Sequence, residues 1–325
     1  MEAASLPTPG PLERTRHLGD RIGDGLLYGL TALAAFLGLA LVAAIVWRVA
    51  DGAWPAIKAF HLAFLWHNAW NPVTSDFGAR DFIIGTIVTS FGAILLSAPL
   101  SIAIALFLSE LAPPAIRGPV GTLIEMLAAV PSVVVGLWGI YVLAPFDANH
   151  LAPFLGSFLG WIPIFAHAND HTESTVFTAI LVLAMMTIPI TSAICRELFL
   201  GVPTELEEGS IGLGATRWEM VKTVIIPSVR GGVVAAIILG LGRALGEAIA
   251  VTQVIGNFIP LHLTLFGAGD TLASRVANQY AGASTNIQVA SLIYLGLILL
   301  AITFIANFAA QRVVKRFEFQ RTGGD

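Results

Sequence analysis

The sequence predicts an all-α membrane protein with six transmembrane helices and both termini cytoplasmic. Three observations carry this expectation. Charged residues make up 12% of the 325-residue chain and hydrophobic residues 56%, whereas soluble domains carry roughly 25% charged residues. The apolar residues gather into runs of about 20 or more, the length that crosses a hydrocarbon core of about 30 Å. Lysine and arginine fall unequally on the two sides of those runs.

The runs place spans at about 26–49, 83–109, 122–145, 176–198, 227–254 and 288–311. Together they form a six-span domain over about 25–316, between a polar tail at 1–24 and a short tail at 317–325. Pro131 and Pro189 lie inside the third and fourth runs, where a missing amide donor predicts a kink or break. With the N-terminus in the cytosol, the cytosolic segments carry twelve basic residues: Arg14, Arg16, Arg21, Arg117, Arg196, Arg217, Lys222, Arg230, Arg312, Lys315, Arg316 and Arg321. The outer segments carry four, Arg48, Lys58, Arg80 and Arg275, and the positive-inside rule therefore sets both tails in the cytosol.

Two outer loops, about 50–82 and 255–287, are long, rich in aromatic and amide side chains, and poor in charge. The third, 146–175, contains "HANDHTES". His167 and His171 have one-face helical spacing, but two imidazoles without a shaped pocket make a weak metal site. The loop is read as solvated, and no metal is expected. Cys195 is the one cysteine, so neither an intrachain disulfide nor a cysteine metal cluster can form. A net charge of −4 names no nucleic-acid partner. The N-terminal tail lacks the apolar core of a signal peptide and reads as a disordered arm. Within the spans, Thr86, Thr89 and Ser90 are expected to bond their own helix backbone, Glu125 to reach toward an interface, and Arg196 with Glu197 to anchor the end of a span.

The segment at about 203–226, "VPTELEEGSIGLGATRWEMVKTVI", differs from every other loop. Thr204 with Glu207, and Thr216 with Glu219, have capping-box spacing. Gly212 and Gly214 separate them, and Pro227 follows. The pattern spells helix, glycine turn and short helix, ended by Pro227. Helices this short need a surface to pack on, so the knob is either a docking element or a compact loop.

"GLGRALGEAIAV", Gly240 to Val251, puts Arg243 and Glu247 inside the fifth apolar run. An intramembrane charge costs about 2.5–3.5 kcal/mol on insertion scales. Four-residue spacing sets the two on one face of a continuous helix, within pairing reach. Arg before Glu is the poorer order for helix support. Ala236, Gly240 and Ala244, and Gly242, Gly246 and Ala250, recur at the spacing that admits another backbone. Two readings follow: residues of a transport pathway, or an internal salt bridge at a helix seam. In the first, Arg243 offers a donor fork to an oxyanion. Glu247 would then accept a proton that phosphate carries and sulfate lacks.

Glu208-Gly209-Ser210-Ile211-Gly212-Leu213-Gly214-Ala215, followed by Ile225, Ile226 and Pro227, resembles the EAA loop of ABC importer permeases, with Gly209 and Ser210 in place of two alanines. "LGLGRALGEAIAVTQVIGN", "VPSVVVGLWGIYVLAPF", "FGARDFIIGTIVTSFGAILLSAPLSIAIALFLSE" and "TLASRVANQY" are similar to the C-type permeases of phosphate-specific ABC importers, over about residues 65–316. The resemblance implies a type I ABC importer permease fold. It also implies ATPase coupling through Glu208, Gly209, Ser210, Gly214 and Ala215, and non-catalytic transport of inorganic phosphate across a bacterial inner membrane. The implied partners are a homologous A-type permease, two ATP-binding subunits that carry ATP and Mg, and an extracytoplasmic phosphate-binding protein. No GxxxxGK[ST] phosphate loop occurs in the chain. A self-sufficient transporter would show repeated halves, and an intramembrane enzyme a nucleophile with its base; neither pattern is present.

Overall fold

The computed structural model describes residues 18–166, 172–259 and 264–322. The His167/His171 expectation, most of the N-terminal tail and residues 323–325 lie outside the described residues. Six described helices are long and apolar enough to cross a membrane. The chain divides into two units, Met1–Arg48 and Val49–Asp325. In the first, the described stretch of α1 (Leu18–Phe60) is apolar, with Leu26, Leu30, Leu33 and Leu37 all exposed.

The second unit is organised around α2 (Arg80–Leu106) and α7 (Val176–Leu200). The first of these continues through a π turn to Leu111. Between α1 and α2 a short hairpin pairs β1 (Trp70–Asn71) with β2 (Asp76–Phe77) in antiparallel register, Trp70 opposite Phe77. At this hairpin end, Phe64, Phe77, Phe82, Leu272 and Leu292 form one buried cluster. A second cluster joins Ala93 of α2 to Ile180, Leu183 and Met186 of α7. A third, at the far end of α2 and α7, holds Ala105, Cys195, Phe199 and Ile225. Thr86 and Thr89 donate to the carbonyls of Phe82 and Gly85 at 2.7 and 2.8 Å, as expected of buried hydroxyls on an apolar helix. Thr86 also accepts from the Leu272 amide at 2.9 Å, which ties the outer segment to α2.

Several boundaries differ from the expected ones. The third span is not 122–145. Residues there form α3 (Pro114–Ala128) and, after a break, α4 (Ser132–Trp138), which runs on through α5 (Ala144–Phe146) and α6 (Ala152–Leu159) by way of two π turns. Pro131, extended at φ −59°, ψ 137°, caps α4 and cannot continue α3. The crossing helix is therefore Ser132–Leu159, and half of the expected loop 146–175 is helical. Pro189, by contrast, does not break α7, which is continuous from Val176 to Leu200. Glu125 of α3 reaches Arg196 of α7 at 3.6 Å, so the two form a partly exposed ion pair across α3 and α7.

The loop expected at 255–287 holds a buried helical turn. After α8 (Thr204–Gly212), α9 (Arg217–Met220), α10 (Ile226–Gly246) and α11 (Ile249–Val254), the chain enters α12 (Leu272–Gln279) and then α13 (Asn286–Thr322). Arg275 of α12, one of the cations of the outer segments, is 5% exposed. It pairs with Asp270 at 2.6 Å and lies over the Phe82 ring at 4.9 Å. Asp270 also receives the Thr271 amide at 2.8 Å and contacts Ser274. Removing one member strands the other charge in an apolar cluster. Arg275→Met should therefore cost about 3–5 kcal/mol of stability. Asp270→Leu combined with Arg275→Met should recover most of that loss in thermal unfolding of the purified protein.

Candidate functional site

The two interruptions of helix, at 129–131 and 247–248, adjoin one region. Beyond them the chain segments pack tightly. A Cβ on Gly136 of α4 would meet Ala250 Cα of α11 at 2.9 Å and Gln253 Oε1 at 2.7 Å, so only glycine permits this approach. Beside this contact the segments part. Leu127 and Ala128 at the end of α3, Val130 in the first break, Trp138 of α4, Met185 of α7 and Arg243 of α10 line a cavity of about 230 Å³. Its wall is otherwise apolar. A cation on such a wall has few protein dipoles to replace its lost water.

Arg243 and Glu247 do not pair. The helix that would align them ends at Gly246, and Glu247 is extended at φ −72°, ψ 116°. Glu247 turns toward the next helix and accepts the Ala250 amide at 3.3 Å. There it meets the positive end of α11. Among the described residues, no hydrogen bond or ion pair engages the Arg243 guanidinium, which is exposed on this chain. Of the two small-residue stripes, Ala236, Gly240 and Ala244 are buried, Gly240 against Thr191 and Ile94. Gly246 has nothing within 4 Å. The seam is thus real on one face of α10, while Arg243 looks onto the cavity.

The second site is the knob between α7 and α10. α8 ends in a Schellman motif: the Ala215 amide reaches the Ser210 carbonyl at 3.1 Å, and the Gly214 amide reaches Ile211 at 2.9 Å. Gly214 sits at φ +90°, a conformation that a side chain would strain. Gly209 is exposed with open space around it, and the Ser210 hydroxyl donates to Glu207 at 3.0 Å. Of the two capping boxes expected, only Thr216–Glu219 forms, with Thr216 N to Glu219 Oε2 at 2.8 Å. Thr204 fails because Pro203 occupies the cap and places Thr204 inside the first turn. Pro227 does not end the short helix either. A π turn at Val221–Ile225 carries α9 into α10, and Pro227 sits in the first turn, where its missing amide is tolerated. Glu208, Glu207, Glu110, Ile211 and Trp218 line a cleft of about 510 Å³ beside the knob. Leu213 is 92% exposed and Trp218 69%, large apolar surfaces on a polar projection.

Residues 97–319 match the family of binding-protein-dependent transport system inner membrane components. The chain belongs to that family. It is similar to the phosphate transport system permease protein PstC of Pasteurella multocida, with 42% identity over 306 residues, 94% of this chain and 95% of that protein. The PstC protein of Mesorhizobium japonicum is 39% identical over 302 residues, 92% of each chain. Among solved structures, a chain of a bacterial ABC transporter involved in the import of the acidic polysaccharide alginate superposes with a TM-score of 0.53 at 17% identity, over 88% of this chain and 99% of that one. A chain of the MetNI methionine ABC transporter gives 0.50 at 19% identity, over 74% and 94%. The permease thus has the type I ABC importer fold. It is a multi-pass bacterial inner-membrane subunit, not an enzyme.

Two of the buried charged centres among the described residues are not visible as such in the sequence. One is the Asp270–Arg275 pair. The other is Asp147, which is 1% exposed and receives the Thr178 hydroxyl at 2.7 Å. Asp147 had been placed in a loop because the third span was ended at 145; a carboxylate within helical reach of that apolar run was the available signal.

Burial, with Glu110 and Glu208 nearby, raises the Glu207 carboxyl above the ordinary glutamate value of 4.5. The folded knob therefore holds that proton more tightly than the unfolded chain does. Its contribution to stability is present at low pH and falls as pH rises through the interval above 4.5. Hydrogen exchange across residues 204–216, corrected for intrinsic chemistry, should show less protection at pH 7 than at pH 5. Glu207→Gln should flatten that difference.

Proposed function

We propose that the permease forms half of the translocation pathway of an ATP-driven inorganic phosphate importer. Both termini face the cytoplasm in this arrangement. The other half is a homologous A-type permease, two ATP-binding subunits hold ATP and Mg, and an extracytoplasmic phosphate-binding protein delivers the anion. The observation that carries the proposal is Arg243, a cation without a described partner that lines a cavity inside a membrane span. Its relatives are named as phosphate permeases over nearly their full length. Arginine is permanently charged and presents a planar donor fork that fits two phosphate oxygens. An intramembrane charge without a structural partner is a functional group by default.

Glu247 lies just past the same break. One of its oxygens is committed to the Ala250 amide, which leaves acceptor capacity for a proton that hydrogen phosphate carries. Sulfate has no such proton and meets repulsion instead. The knob couples transport to ATP. Glu208, Gly209, Ser210, Gly214 and Ala215 shape the capped α8 and its turn; the exposed Leu213 of that turn and Trp218 of α9 need a protein surface, and an ATPase subunit supplies one.

Loss of a charge-assisted contact of about 1.5–3 kcal/mol lowers uptake about 10- to 100-fold. Radiolabelled phosphate uptake by Arg243→Gln should fall by that amount with assembly intact. Glu247→Gln should chiefly lower the preference for phosphate over sulfate. If both variants assemble and transport with unchanged rate and selectivity, Arg243 and Glu247 belong to a helix seam and not to the pathway. Substituting Trp218 by Ala should reduce co-purification of the ATPase without moving the selectivity.

A further inference from the structure

Another concave surface lies at the hairpin end of the permease, away from the Arg243 cavity and the knob. Trp66, Arg80, Ile84, Ile298, Ala301 and Ile305 line a groove of about 560 Å³ between α2 and α13. Its walls are apolar except at one end. There Arg80 opens α2 and Trp66 follows the last turn of the helical segment that ends at Leu65. Trp66 is 77% exposed. The Arg80 guanidinium is also exposed and has no ion-pair or hydrogen-bond partner among the described residues.

The dimensions select an occupant. Along α13 the groove runs from Tyr294 to Ile305, about 16 Å at 1.5 Å per residue. That is about half the 30 Å hydrocarbon core, the depth of one leaflet. Arg80 and Trp66 stand at helix ends, where tryptophan marks the membrane–water interface and arginine meets lipid headgroups. An apolar channel one leaflet deep, with an uncompensated cation at its mouth, is complementary to an acyl chain bearing a phosphate. A neutral transmembrane helix would fill the groove but leave Arg80 without an anion.

We propose that this groove is a binding site for one anionic phospholipid, its chain along α13 and its headgroup on Arg80. The Arg80 contact gives preference for an acidic headgroup; the groove gives retention.

Native mass spectrometry of the detergent-extracted full-length protein, in the assembly in which it purifies, tests this with two probes, phosphatidylglycerol and phosphatidylcholine. One bound phosphatidylglycerol should persist, favoured about fivefold over phosphatidylcholine, as expected for a single arginine at an anionic surface. Arg80→Gln should abolish the preference while leaving some retention of both lipids. Ala301→Trp should fill the groove and release both lipids, with the melting temperature checked to confirm folding. Should Ala301→Trp misfold, Ala301→Leu narrows the groove with less bulk and should lower retention in the same sense. Retained preference in Arg80→Gln, or unchanged retention in folded Ala301 variants, overturns the proposal. So does crosslinking of Ala301→Cys to a polypeptide in native membranes, since a helix would then occupy the groove.

Discussion

A backbone that leaves the helix inside a membrane frees amides and carbonyls that lipid cannot satisfy. That constraint organises the centre of this permease. Both interruptions, at 129–131 and 247–248, flank one cavity, and neither is an isolated defect. Pro131, extended and capping α4, marks the first. The second is closed by its own side chain, since Glu247 turns to the amide of Ala250. The tight approach of α4 to α11 at Gly136 fixes those two segments against each other, and the cavity stays open between α3, α4, α7 and α10. Arg243 is the consequence: deprived of Glu247, it faces the cavity alone.

The six-helix architecture was legible in the sequence because it rests on run length. α7 shows this best, expected at 176–198 and found at Val176–Leu200. The knob was legible in outline through Gly214 and the Thr216 capping box, both local signals. The failures share a physical origin. Four-residue spacing puts Arg243 and Glu247 on one face only if the helix is continuous, and neither Gly246 nor Ala248 forbids that locally; the chain nevertheless leaves the helix at Glu247. The third span was misplaced because its apolar run crosses Pro131 unchanged, whereas the helix restarts there and continues through π turns. The burial of Arg275 is not visible locally because its partners, Phe82 and Asp270, come from another helix and from a turn that has Ser274, not glutamate, at the third position of its capping box. Nonlocal burial cannot be read from local pattern.

Polar work in this molecule is divided along the length of α2. At the hairpin end, the Asp270–Arg275 pair and the Thr86–Leu272 hydrogen bond lock the outer segment onto the helix bundle. At the other end, Glu110 joins Glu207 and Glu208 around the cleft of the knob. A displacement of the knob therefore acts on α2 and α10 directly, and α10 carries Arg243.

The central claim is that the helix breaks set Arg243 on an aqueous, anion-accessible path. Met185, 44% exposed, shares the cavity wall, and the one native cysteine, Cys195, is buried. Labelling of Met185→Cys by a membrane-impermeant thiol reagent, with Arg243 intact, is the direct measurement. The account predicts labelling from the aqueous phase that phosphate slows and sulfate does not, with the phosphate effect lost in Arg243→Gln. A cysteine at 185 that stays unlabelled while the assembly transports, or labels at a rate indifferent to phosphate, contradicts it.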